Sequence, residues 1–179
     1  MLLIRHGQSE FNVVYSRTRV DPGIPDPRLT DLGRAQAAEV GAALAGRGVR
    51  RLIASPYTRA IETALIIADR LGLPISLDPL VGERAAFHCD IGSPPSVLKA
   101  RFPALDFDHL DDPWWHDHVG LGRDETEEEL GARGARFRAR ASAFADRTDV
   151  AVVTHWGFIR ALTGYEAKNA EIVRLQFDD

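Results

Sequence analysis

Hydrophobic positions along the chain alternate between short continuous runs and longer stretches of helical period. Leu2 to Ile4 is an apolar run that stops abruptly at Arg5 and His6, as a buried parallel strand does. "RLTDLGRAQAAEVGAALAGRG" then places Gly33, Ala37, Val40 and Leu44 at helical spacing, with Thr30 as N-cap and Gly46 and Gly48 as the stop. "RLIAS" (Arg51 to Ser55) reads as the next strand. "YTRAIETALIIADRLG" follows as a helix with Ile61, Leu65 and Ala68 on one face and Gly72 just past its end. "PISL" (Pro74 to Leu77) predicts a short third strand.

From Ala85 to Asp124 the periodicity fails, and the segment is rich in Pro, Asp, His and Trp. It reads as a long irregular insert, a feature that in a compact domain is usually functional or poorly ordered. Order resumes at "DETEEELGARGARFRARASAFADR". Thr126 with Glu129 fits a capping box, and Leu130, Phe137, Ala141 and Phe144 share a face. Its arginines read as a solvated face. Val150 to Thr154 is a continuous β-branched strand signal. A short helix is expected from about Trp156 to Leu162, and Val173 to Phe177 alternates like a strand with one exposed face. Strands alternating with helices predict an α/β fold: one three-layer domain over residues 1–179, with a mostly parallel central sheet flanked by helices and an irregular insert at about 85–124.

Composition narrows the function classes. The chain has 179 residues, with 45% hydrophobic and 27% charged, as expected of one globular domain that buries its own core. A net charge of −4 with scattered basic residues argues against a nucleic-acid partner. The absence of any long apolar run argues against a membrane partner. Cys89 is the single cysteine, and only three apolar residues separate Met1 from Arg5, so a cytoplasmic location is expected. Oligomeric state is left open.

The chemistry gathers where strands end. Ligands of open α/β sheets sit beyond the carboxyl ends of the strands. There the three runs deliver Arg5 and His6, then Ser55 and Arg59, then His155. Guanidinium forks match phosphate oxygens and imidazoles donate to them, so these residues together make a site for a phosphate. Gly7 lets the backbone turn close to such a ligand.

"LLIRHGQSEFN", "LTDLGRAQA", "SPYTRAIETA", "LVGER" and "VVTHWGFIRALTG", in this order over residues 2–164, resemble the landmarks of the histidine phosphatase superfamily, also called phosphoglycerate mutase-like. The resemblance implies a phosphomonoesterase in which His6 is the nucleophile that becomes phosphorylated. By the same resemblance Arg5, Arg59 and His155 hold the phosphoryl oxygens, Asn12 is a secondary contact and Glu83 is the proton donor. It implies no metal or other cofactor and a small phosphorylated molecule as substrate. Two departures matter. Trp156 stands where a glycine commonly follows the second histidine, and "AAFHCD" replaces the tyrosine and glycine that follow the acid in mutases. The first is not an aspartate, so the resemblance to the acid phosphatase and phytase branch is poor. The second removes known contacts to a phosphoglycerate.

The insert has two readings: Phe102, Leu105, Phe107 and Trp114 pack it on the body with its histidines exposed, or it is a substrate-facing wall or lid in which Arg84, His88 and the Trp114–Trp115 pair are the candidate substrate contacts. No second basic cluster is legible near Glu83 beyond Arg84. The histidines and Cys89 of the insert match no zinc spacing. Two readings stand beside hydrolysis: phosphoryl transfer of the phosphoglycerate mutase type, and a noncatalytic domain that binds a phosphorylated ligand.

Overall fold

A computed structural model describes residues 1–177. Four parallel strands, β1 (Leu2–Arg5), β2 (Arg51–Ala54), β3 (Ile75–Leu77) and β4 (Val150–Thr154), form a sheet closed at one edge by an antiparallel fifth, β5 (Ile172–Arg174). The spatial order is β3-β2-β4-β1-β5. The chain thus inserts β4 between β1 and β2, and the carboxyl ends of these three strands open side by side.

β4 is buried at every residue, which is why its sequence shows no alternation. The apolar residues of one sheet face meet α2 (Asp31–Leu44) and α3 (Thr58–Leu71), with Ile4, Leu52, Ile61, Ile67 and Val153 in one cluster. The other face meets α6 (Glu127–Ser142) and α7 (Trp156–Thr163), where Leu3, Val152, Phe137 and Phe158 pack together. Three layers result. The expected caps are present: Thr30 Oγ1 accepts from Gly33 N, Thr126 and Glu129 cap each other reciprocally, and Gly72 takes the left-handed conformation after α3.

The structure differs from the sequence expectation in four places. A helix, α1 (Glu10–Thr18), follows β1 directly. Its nine residues, EFNVVYSRT, are too few to show a helical period, and a capping box between Ser9 and Asn12 starts it. The last strand begins earlier and ends sooner than 173–177, although Leu175 is still buried. The insert, expected to be irregular, carries two short helices, α4 (Pro95–Arg101) and α5 (His118–Leu121), while Phe107 and Trp114 enter the core beside α3 as the packed reading has it, joined by Leu98. Finally, the arginines of α6 are not simply a solvated face. Arg133 reaches the carbonyls of Leu80, Gly82 and Glu83, Arg138 those of Leu162 and Gln176, and Arg140 pairs with Asp78. The long aliphatic stems let these side chains cross from the helix surface to loop carbonyls, which no residue count along the helix reveals.

One close approach fixes the loop after β1. Gln8 N donates to Gln36 Oε1, Thr30 N donates to Gln8 O, and the first turn of α2 lies directly on the Gly7–Gln8 backbone. A Cβ at Gly7 would stand 2.3 Å from Gly33 O, and one at Gly33 would stand 2.1 Å from Gln8 O. Both glycines are therefore required by backbone contact. Gly33→Ala is expected to lower stability by about 1–3 kcal/mol, the usual range for overpacking. Gly131→Ala in α6, where a Cβ meets nothing, is expected to raise it by roughly 0.5–1 kcal/mol. Urea unfolding of the two variants beside the parent checks both signs.

Candidate active site

His6 and His155 leave the adjacent strands β1 and β4 at the same level, because His6 N donates to Thr154 O and extends the parallel pairing by one residue. Their ring centroids are 5.2 Å apart, and both rings are buried. His6 Nδ1 lies 2.7 Å from the carbonyl of Gly7. A carbonyl only accepts, so Nδ1 carries the proton and Nε2 keeps its lone pair. His155 Nε2 pairs with Ser55 Oγ at 2.8 Å, which uses the serine at the end of β2 to orient the second imidazole. Burial, then Arg59 and Arg5, hold His6 well below its ordinary pKa, and burial, then Arg59 and His6, do the same for His155. Both rings are neutral near pH 7, the state a nucleophilic nitrogen needs.

Two guanidinium groups share this space. Arg5 Nη1 donates to Ala167 O at 2.8 Å, while its Nε is buried with no hydrogen-bond partner, as is Nδ1 of His155. An unpaired buried polar atom typically costs about 1–3 kcal/mol. Two of them beside His6 fit a site whose oxygens come from a ligand. Arg59, in the first turn of α3 and 2% exposed, is aimed by Cys89 O at 2.6 Å and by the Asp90 carboxylate at 3.0 Å. Asn12 Oδ1 is taken by Ser9 N and Asn169 Nδ2, so only its amide N–H groups can face a ligand.

Glu83 sits on the loop after β3. Its Oε1 accepts from Arg84 N at 2.9 Å and from Gly157 N at 2.8 Å, so the proton of the acid form is carried by Oε2. A Cβ at position 157 would meet that oxygen at 2.5 Å. Trp156 therefore does not disturb the site; the glycine that matters is the next residue. Burial, then the charge of Asp90, raise the pKa of Glu83 above its ordinary value, against the lowering effects of Arg59 and Arg5. The loop is clamped from α6 by Arg133, which donates to three carbonyls of residues 80–83 while holding the buried Glu125 carboxylate in a two-pronged pair.

Arg5, His6, Asn12, Arg59 and Glu83 line one cavity of about 660 Å³, with Phe11, Tyr15 and Phe87 along one wall and Arg84, Trp156 and Arg160 along another; His155 is fully buried beside His6. A neutral histidine backed by a second, two arginines and a carboxylic acid can bind a phosphoryl group, attack it and protonate what leaves. The sequence profile of the histidine phosphatase superfamily (branch 1) matches residues 1–177. The chain belongs to the histidine phosphatase superfamily. It is 32% identical over 170 residues to a glucosyl-3-phosphoglycerate phosphatase of Mycolicibacterium vanbaalenii, covering 91% of this chain and 72% of that protein. A 2,3-bisphosphoglycerate-dependent phosphoglycerate mutase of a Methylobacterium strain is 40% identical, but over 89 residues, 47% of this chain and 41% of the mutase. Among solved structures, a mycobacterial glucosyl-3-phosphoglycerate phosphatase in complex with VO3 superposes with a TM-score of 0.67 at 24% identity. It covers 96% of this chain and 88% of that one, a likeness of superfamily fold.

Not every residue singled out in the sequence is brought to this superfamily site. Arg5, His6, Asn12, Arg59, Glu83 and Arg84 line the cavity, and His155 is buried next to His6, its ring tilted 58° to that of His6. His88 does not line it: its backbone N–H and Nδ1 both meet Asp21 Oδ2, and the ring is exposed. Trp114 is buried against Tyr57, at 4.7 Å between centroids, and Trp115 packs on Trp114. Trp114 is core and Trp115 half-buried beside it, a Cβ at Gly92 would touch both rings at 2.6 Å, and the two line not the 660 Å³ cavity but a second one of about 400 Å³, which Glu83 also lines. Asp90 and Arg133 were missed. Each looks like a surface charge until the partner across the fold is known. The separation of Arg84 from other basic residues is also overturned, since Arg160 lines the same wall.

Replacing Asp90 by Asn removes the negative charge that raises Glu83. The Glu83 carboxyl is then expected to titrate at lower pH than in the parent, read from its side-chain carbon resonance in an NMR pH titration. An unmoved titration would show that burial alone sets its protonation.

Proposed function

We propose that this chain is a metal-independent phosphomonoesterase that works through a phosphohistidine on His6. The observation that carries the reading is the protonation geometry: Gly7 O takes the Nδ1 proton of a buried, neutral His6 and leaves Nε2 free between Arg5 and Arg59. In the first step Nε2 forms a bond to phosphorus as the ester oxygen leaves, and Glu83 Oε2 gives that oxygen its proton. Arg5, Arg59 and His155 face the equatorial oxygens, whose charge changes little in number but spreads in the transition state. In the second step Glu83, now a carboxylate, takes a proton from water. The water oxygen attacks phosphorus and the P–N bond breaks, which restores neutral His6, protonated Glu83 and inorganic phosphate.

The pKa directions suit these roles. The downward shift of His6 favours the unprotonated nitrogen and the upward shift of Glu83 favours the protonated acid, which is the pairing an acid-assisted nucleophilic displacement requires. Hydrolysis is favoured over transfer to a second hydroxyl because the phosphatase relative aligns over nearly the whole chain and the mutase relative over less than half. Retention of both His6 and Glu83 disfavours a purely binding role. The substrate is a small phosphate ester. No helix among the described residues is long and apolar enough to cross a membrane, and the buried Cys89 thiol suits a reducing compartment such as the cytoplasm.

Rapid quenching at neutral pH during turnover of a reactive phosphate ester is expected to trap phosphate on His6 and not on His155. Label on a serine, or undiminished turnover by His6→Ala, would sink the mechanism. Glu83→Gln is expected to slow alkyl phosphates at least a hundredfold and aryl phosphates far less, since a good leaving group needs its proton less. Equal losses would assign the acid elsewhere. Excess chelator should leave the rate intact.

A further inference from the structure

A phosphoryl group fills little of a 660 Å³ cavity, a size typical of sites for whole organic ligands. On the proposed mechanism Glu83 gives its proton to the departing alcohol, so the groups flanking Glu83 flank the leaving group. One flank is Arg84, the next residue. The other is the start of α7: Gly157 N–H holds Glu83 Oε1, and Trp156 and Arg160 lie one helical turn apart on the same wall.

Arg84 and Arg160 converge although they come from different elements. Arg160 Nη2 donates to Glu127 Oε1 at 2.8 Å, and Arg84 Nη1 stands 3.3 Å from that same oxygen. Two cations thus share one oxygen of a carboxylate that is 58% exposed at the first turn of α6. Both guanidinium groups are held ready by other contacts. Arg84 Nε is fixed by Glu125 O at 2.9 Å, and the Arg160 guanidinium lies 5.0 Å from the centre of the Trp156 ring. Arg160 Nε is buried with no hydrogen-bond partner. The donors outnumber the acceptors here, and an exposed ion pair of this kind is weak, so a ligand can displace it.

We propose that Arg160 and Arg84 form a second anion subsite for a carboxylate or second phosphate carried by the leaving alcohol, and that Glu127 occupies this subsite until the substrate displaces it. The proposal rests on the phosphatase reading in one respect, the placing of the leaving group beside Glu83. The chemical class is a phosphomonoester whose alcohol bears another anion a few bonds from the ester oxygen. Planar, forked recognition by two arginines suits a carboxylate or phosphate and gives nothing to a neutral hydroxyl.

Matched esters test it. 3-Phosphoglycerate and glycerol 3-phosphate differ by a carboxylate in place of a hydroxymethyl group. Propane-1,3-diol bisphosphate and its monophosphate differ by the second phosphate. Calorimetric binding to His6→Ala, which removes the nucleophile, reads the subsite without turnover. Arg160→Gln in that background is expected to reduce the preference for the anion-bearing member of a pair at least tenfold. Glu127→Gln, which frees the arginines and disturbs no buried group, is expected to raise that preference about threefold. The first pair responding alone identifies a carboxylate site, and the second alone identifies a phosphate site. If neither preference falls in Arg160→Gln, or none rises in Glu127→Gln, the subsite is overturned. Failure of the phosphatase reading shows separately, as aryl phosphate turnover that does not depend on His6.

Discussion

The buried pairing of Arg59 with Asp90 is the interaction on which the site depends. A guanidinium at 2% exposure and a carboxylate at 1% have both left water, and such ions are stable in a protein only when each is fully hydrogen-bonded. Asp90 meets this condition by taking Arg59 on one oxygen and the N–H groups of Ala86 and Phe87 on the other. One carboxylate thereby aims a phosphate-binding arginine and folds the loop that walls the cavity. Removing one partner of a buried pair typically costs about 3–5 kcal/mol, because the other is left charged and unpaired.

The same pair adds to what burial does to the protonation of its neighbours. With little water present and the positive charge of Arg59 held beside them, both histidines stay neutral, while burial and then the negative charge of Asp90 raise Glu83 above its ordinary value. Both shifts favour a nucleophile without a proton beside an acid with one. Positioning follows from longer ties. Arg133 grips the loop that carries Glu83 from α6, and Gly157 presents its N–H from α7, so the acid is fixed by both elements on one side of the sheet.

The insert works as a wall and a brace. Tyr57, which precedes α3, stacks edge-on against His155 and Trp114 and donates its hydroxyl to Asp90 O at 2.7 Å. α3 has no side-chain cap of its own at Tyr57. Asp26 accepts from Thr58 N at 2.8 Å and from Ser93 Oγ at 2.5 Å, so it caps that helix and ties the insert to it at once. Phe87 completes an aromatic cluster with Phe11 and Tyr15 at the mouth of the cavity. The irregular sequence of the insert reflects this work: its residues answer to neighbours on α1, α3 and the loop before α2, not to a repeat of their own.

The sequence by itself determined the alternation of strands and helices, the caps at Thr30, Thr126 and Gly72, and the residues that end the strands. Burial on both faces writes a continuous apolar run, and one-sided burial writes a helical period, so these are local signals. Arg5, His6 and His155 were legible for the same reason, since polar residues directly after an apolar run lie at the edge of the sheet, whereas Arg59, four residues past Ser55, was legible through the motif "SPYTRAIETA". The tertiary structure alone decided that His88 turns to Asp21, that Arg133 faces inward and that Asp90 and Arg160 belong to the cavity, and it chose the packed reading of Trp114 over the substrate-facing one. Each of these depends on a partner more than 25 residues away in the chain or on a loop with no period. The side of a charged residue that meets protein is fixed only when the chain has folded back on itself, because a carboxylate or guanidinium satisfied by water carries no mark of the partner that replaces the water.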